Sequence, residues 1–122
     1  MDYKGTIIEE SLSRKTVLKQ LNIVATKVEP VTEAHKTPWL THWTLHAVVI
    51  PTEKAEAVAK QLSKSLEGNY WYVDFKNDTT HYVIFPGRVF RVNRSRPDEY
   101  QAAIAHGHSL GIPEYQLDFS PN

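Results

Sequence analysis

The sequence predicts one α+β domain, a two-layer sandwich with helices on one face of a mostly antiparallel sheet. Three observations carry this expectation. Residues 70–93 read as three short strands rich in aromatic and β-branched side chains, broken by the turn pairs Asn77-Asp78 and Pro86-Gly87. Ala55, Val58, Ala59, Leu62 and Leu66 fall at helical offsets and form one apolar stripe. The 122 residues, without an internal repeat or linker, suit a single domain over 1–122.

In chain order, residues 3–9 hold Thr6, Ile7 and Ile8 and read as a strand. Residues 11–21, with Leu12, Val17, Leu18 and Leu21, suit a short helix. Residues 22–31 alternate and are β-branched, so they read as a strand; residues 32–40, with Pro38 and Trp39, read as a loop. Residues 41–50 are a strand ended by Pro51, after which Thr52 can cap a helix that Gly68 terminates. Strands follow at 70–76, 80–85 and 88–93. Ser95 and Asp98 form a capping-box variant with Pro97 in the first turn, and Tyr100, Ala103, Ile104 and Leu110 give the next helix its buried side. Gly111, Ile112 and Pro113 stop it. In the tail, Tyr115, Leu117 and Phe119 promise some packing. The β-α-β start and the β-α-β-β run over 41–85 suggest a ferredoxin-like arrangement.

The three strands of 70–93 are apolar on both faces. With a two-residue turn at each turn pair, Asp74 stands opposite His81, Tyr72 opposite Val83 and Val83 opposite Phe90. One face then carries Tyr70, Tyr72, Asp74, His81, Val83, Phe85, Phe90 and Val92; the other carries Trp71, Val73, Phe75, Tyr82, Ile84, Val89 and Arg91. A four-residue first turn keeps this partition, whereas a three-residue turn flips the later strands. Leaving either face in water forfeits several kcal/mol, at about 1.5–3 kcal/mol per large side chain. Helices cover one face. The other needs the N-terminal elements, the tail, a second subunit or a ligand, and a closed second face without a mate would remove the latter two readings there.

Composition narrows the function classes. Lys+Arg and Asp+Glu both number 14, so no basic excess marks a general nucleic-acid or anionic-membrane binder. The absence of cysteine excludes disulfides, thiolate catalysis and cysteine-held metals. No apolar run approaches the ~20 residues of a membrane helix, and the polar residues 1–10 do not read as a signal peptide, so a cytoplasmic protein is expected. No Walker-type or G-x-G-x-x-G loop implies a nucleotide cofactor, and none is expected.

Gly107-His108-Ser109-Leu110-Gly111 resembles the nucleophile elbow of α/β-hydrolases. That elbow needs a strand before the serine and a helix after it; here a helix precedes Ser109 and a helix stop follows. Among six histidines, His42 and His46 share a strand face but stand about 13 Å apart. His106 and His108 diverge by about 200° on a helix, so no metal site is expected. Asp74 and His81 are the best acid–base pair, with His46 as a further candidate. Arg88, Arg91, Arg94 and Arg96 form a local basic cluster split between sheet faces, with Arg88 and Arg94 on one and Arg91 on the other. Trp39, in a loop with His35, can line a pocket mouth or plug the core.

The leading expectation is a ligand-binding or homodimerisation domain, its pocket lined by His42, Thr44, His46, Tyr70, Tyr72 and Arg88 with Trp39 nearby. The alternatives are a small cofactor-free enzyme using Asp74, His81 or His46, and a weak nucleic-acid or nucleotide binder through the arginine cluster.

Overall fold

Strands β1 (Tyr3–Ile8), β2 (Asn22–Pro30), β3 (His42–Ile50), β4 (Val73–Lys76), β5 (Thr80–Phe85) and β6 (Arg88–Asn93) form one antiparallel sheet in the order β2-β3-β1-β4-β5-β6. Helices α1 (Ala55–Ser65) and α2 (Asp98–Ser109) complete the fold. This is a computed structural model, and it describes residues 2–31, 40–68, 71–112 and 117. The expected tail contacts of Tyr115 and Phe119 lie outside the described residues.

The architecture is α+β, but the strand order is not the plain ferredoxin-like one. The N-terminal strand β1 inserts between β3 and β4 and runs antiparallel to both. β3 and β4 are therefore parallel to each other, and α1 makes the crossover between them. Only three residue pairs join β1 to β4: Lys4 with Lys76, Gly5 with Phe75 and Thr6 with Asp74. This seam divides the sheet into the unit β2-β3-β1 and the meander β4-β5-β6. A side-chain carbon on Gly5 would lie 2.5 Å from the Asp74 carbonyl oxygen and 2.7 Å from the Phe75 Cβ, so glycine is what lets the strands close there. Beside it Tyr3 stands edge to face against Phe75 and Tyr82, which are tilted by 36° to each other, with all ring centroids 5.0–5.4 Å apart.

The meander pairs as its alternation requires. Phe85 faces Arg88 and Val83 faces Phe90, as the Pro86-Gly87 turn dictates, with Gly87 at φ +76°. The first turn differs: Asn77 and Thr80 pair, and Asp78-Thr79 form the tip. The Asn77 side chain fixes that tip by accepting from the Thr79 and Thr80 N–H groups. The register moves by two residues, so His81 faces Lys76 and Asp74 faces Val83. An even shift leaves every side chain on its expected face.

Two apolar layers follow from those faces. Trp71, Val73, Phe75, Tyr82 and Ile84 pack with Tyr3, Ile7, Val48, Ile50 and the α1 stripe. Val83, Phe85 and Val92 pack with Tyr100 and Ala103 of α2, Ile112 and Leu117. The helices thus lie on opposite faces, which corrects the expectation that both pack on one side. The physical reason is the two-sided apolar meander: once α1 covers one face, the chain leaving β6 must return across the other.

Local expectations also shift. Residues 9–11 and 15–20 form 3-10 turns instead of an α-helix. Ser11 and Ser13 turn their hydroxyls onto the Ile8 and Ser65 carbonyls, which competes with helical bonding. Leu12 bridges Leu66, so α1 ends at Ser65 and its chain becomes extended, two residues before Gly68 takes a positive φ. A 3-10 turn over Thr52–Lys54 leads into α1, so the cap position of the helix falls at Lys54 instead of Thr52. At the start of α2, Ser95 donates to the Asn93 side chain and Glu99 accepts from the Asn93 N–H, so the expected Ser95–Asp98 cap does not form.

Candidate functional site

The Asp74–His81 pair exists, but as a diagonal contact across β4 and β5. His81 Nε2 lies 2.7 Å from Asp74 Oδ2 and Nδ1 lies 3.0 Å from the Tyr100 hydroxyl. An ionised carboxylate only accepts, so in the neutral ring Nε2 donates and Nδ1 accepts from Tyr100. His81 is 1% exposed, whereas the Asp74 side chain is 41% exposed. Burial raises the Tyr100 phenol above its ordinary value, with Arg94 pulling the other way. Arg94 also donates to the Asn77 carbonyl. The chain of contacts runs from the surface carboxylate through a buried imidazole to α2. Both ring nitrogens are engaged, so the network fastens α2 to the meander and leaves neither nitrogen directed at a substrate.

The expected pocket residues divide between the two sheet faces. Ile7 faces His46, and Gly5 faces both Val48 and Phe75, so His42, Thr44 and His46 share the face that carries α1. Tyr72 and Arg88 belong to the α2 face, with Arg88 stacked 4.8 Å above the Phe90 ring. Trp39 and Tyr70 lie outside the described residues. His106 of α2 packs against Phe85 and Phe90 at ring distances of 4.9 and 5.6 Å. Burial and the Arg88 charge lower its pKa.

The histidines of β3 instead meet two carboxylates that were not singled out in the sequence. His46 sits between Thr26 of β2 and Glu9, with Nδ1 2.9 Å from the Thr26 hydroxyl and Nε2 3.0 Å from Glu9 Oε1. Glu10 accepts from both the Thr44 N–H, at 2.6 Å, and the Thr44 hydroxyl, at 2.8 Å. β1 has ended at Ile8, so this carboxylate takes the place of the next strand residue. Burial opposes ionisation of Glu10, but the two Thr44 bonds and nearby His42 outweigh it and hold its pKa below the ordinary value. Among the described residues, no group of three or more His, Asp or Glu side chains is arranged to hold a metal ion.

The arginine cluster is dispersed. Arg91 stacks over Tyr82 on one face and Arg88 over Phe90 on the other, Arg94 reaches Asn77, and Arg96 pairs with Asp98 and Glu99. Ser109 ends α2 and donates to the His106 carbonyl at 2.6 Å. Ile112 and Gly111 donate back to Gly107 and His108, closing the helix with Gly111 at φ +85°. A side chain on Gly107 would overlap Leu117. Both glycines of the serine motif therefore serve helix termination and packing.

One feature escaped the sequence reading. β2 forms an edge of the sheet, and eight of its nine residues are exposed. Ile23, Val24 and Val28, at 37%, 58% and 60% exposure, are the exposed large apolar side chains among the described residues. Val31 donates to the Thr41 carbonyl, so Val31 and Thr41 are a hydrogen-bonded pair of the β2–β3 ladder. Alternation then turns the N–H and C=O of Val28 and Thr26, and the C=O of Pro30, away from β3. Pro30, which lacks an N–H, sits where a strand tolerates it. A bulge at Ile23/Ala25 ends the regular stretch, with Val24 the extra residue. The alternation in 22–31 was legible, but an edge position depends on strand order, which the sequence does not display.

Beside this edge, the face of β2-β3-β1 opposite α1 carries a shallow cleft of about 220 Å³ lined by Thr6, Ala25, Thr26, Lys27, Leu45 and Ala47. No helix among the described residues is long and apolar enough to cross a membrane. No family model matches the chain, and neither a curated protein nor a solved structure is significantly similar to it.

Proposed function

We propose that this chain is an interaction module that takes up one further β-strand along the β2 edge. The observation that carries this reading is the gathering of Ile23, Val24 and Val28 on a single edge strand. Apolar side chains beside outward backbone groups mark an association surface. Strand addition uses main-chain hydrogen bonds for affinity and alternate side chains for specificity. Thr26 and Val28 supply the bonds, Val28 the apolar contact, and Lys27 with Glu29 the charge pattern on the opposite face. The bulge and Pro30 bound the pairing stretch.

Two rival readings have weaker support. A partner or ligand on the second meander face has lost its motive, because α2, Ile112 and Leu117 cover that face. The 220 Å³ cleft falls below the ~300–1,000 Å³ usual for small-molecule sites. The hollow of about 370 Å³ at the end of β5-β6, lined by Thr79, Thr80, Arg91, Val92, Asn93 and Glu99, is mostly polar rather than apolar. An acid–base role for Asp74, His81 or His46 meets the difficulty that both ring nitrogens of each histidine are already engaged.

The test is a titration of isotope-labelled protein with short extended peptides of alternating Val/Thr and Lys/Glu. Strand addition shifts the Thr26 and Val28 amide resonances and slows their hydrogen exchange, while the β6 edge stays unchanged. Peptides that leave both amides unmoved overturn the reading.

A further inference from the structure

We infer that the strand taken up by the β2 edge is β2 of a second copy, antiparallel, with the two-fold axis at Val28. This rests on the edge reading above and adds the identity and register of the occupant. Closed two-fold assembly requires the edge to be complementary to itself. Outward backbone groups must meet outward groups, which leaves axes at Thr26, Lys27, Val28 or Glu29.

Side-chain chemistry separates these four. An axis at Lys27 or Glu29 sets like charges directly opposite each other, which is destabilising. An axis at Thr26 brings the bulged Val24 into the pairing and leaves Lys27 against Ala25 of the partner subunit. An axis at Val28 pairs Lys27 with the partner's Glu29 and, by symmetry, Glu29 with the partner's Lys27. It also buries Val28, at 60% the most exposed large apolar side chain among the described residues, against its own copy. Lys27 and Glu29 already lie on one sheet face, 3.9 Å apart within the chain, so the exchange needs no turn of either side chain across the sheet.

In this register the paired stretch runs from Thr26 to Pro30, and the bulge stays outside it. Val28 exchanges two backbone bonds with its copy. Each Thr26 N–H donates to the partner's Pro30 carbonyl, making about four bonds in all. Such a short pairing buries less than the ~1,000 Å² of a stable interface, so the dimer is weak and appears as concentration rises.

The chain has no cysteine, so Val28→Cys carries the sole thiol. Hydrogen-bonded antiparallel partners have Cα atoms about 5.5 Å apart, inside the ~4.4–6.8 Å span of a disulfide. Under mild oxidation, Val28→Cys is expected to form covalent dimer several-fold faster than Thr26→Cys. Sedimentation of the unaltered chain should show mass rising with concentration. Lys27→Glu should weaken self-association several-fold, and adding Glu29→Lys should restore it, a rescue that loss of a merely structural residue would not give. Faster crosslinking at position 26, no rescue by the double reversal, or a monomer at every concentration overturns the inference. If the chain stays monomeric while extended peptides still shift Thr26 and Val28, the edge reading survives and the second copy does not. If the peptides fail too, both fall.

Discussion

The meander and the β2-β3-β1 unit are built from similar strands but live in opposite surroundings. β5 is buried at five of its six residues, between α1 on one side and α2 on the other. β2 has no buried residue. The edges differ as well. At β6, Glu99 takes the Asn93 N–H, and both helices pack near the strand. At β2, outward backbone groups lie beside exposed valines. The side chains anticipate this contrast. On its second face the meander offers the buried Val83, Phe85 and Val92, whereas the other unit sets the half-buried Leu45 and Val49 among Lys4, Thr6, Ala25, Lys27 and Ala47. Small and polar groups between the apolar ones reduce the need for a second cover.

Five substitutions test the contrast, from the largest expected effect to the smallest. Phe85→Ala removes a ring buried between Tyr72, Phe90 and His106, and denaturant unfolding should register a loss of about 3–5 kcal/mol. Gly5→Ala forces the seam apart where backbone blocks the new methyl. Overpacking of this kind typically costs about 1–3 kcal/mol, and exchange of β1 amides should rise with it. His81→Leu leaves the Tyr100 hydroxyl without its imidazole; about 2 kcal/mol should be lost, with α2 protection falling more than β2 protection.

Glu10→Gln acts in the open half and gives a pH signature. The folded pKa of Glu10 lies below the ordinary glutamate value. Its stabilisation is therefore present above that value and lost as pH falls through the lower folded pKa. Acid titration of stability should show a shallower fall in the variant over that window, with about 1 kcal/mol less stability at neutral pH. A parallel slope in both proteins would refute the Thr44 assignment. Val28→Lys should change unfolding free energy by less than about 0.5 kcal/mol, as an exposed position allows, while abolishing concentration-dependent mass.

Much of the meander was legible because its faces depend only on the parity of its turns. The true tip at Asp78-Thr79 slid the register by two and preserved every face, so Asp74 and His81 still met. The burial of His81 was not legible, because it depends on Tyr100 arriving from a helix on the far side. The helix stop at Gly111-Ile112 was equally readable, since it is written in adjacent residues. The pocket of His42, Thr44, His46, Tyr72 and Arg88 was not: it assumed one face for two units whose relative register is set by β1. Glu9 and Glu10, the actual neighbours of the β3 histidines, sit more than thirty residues upstream, as the separations of 37 and 34 residues show. No periodicity carries that information.

The placement of β1 also has a consequence in time. The hairpin β2-β3 and the meander β4-β5-β6 each form from neighbouring segments. Both neighbours of β1 lie far along the chain: Tyr3 pairs with Ile50 and Lys4 with Lys76. Long loops must close before those contacts stabilise anything, which makes such pairings slow. β1, which precedes the other five strands in the chain, is thus predicted to be the last of the six to be enclosed. Pulse-labelled exchange during refolding should find β1 amides protected after those of β5 and β6.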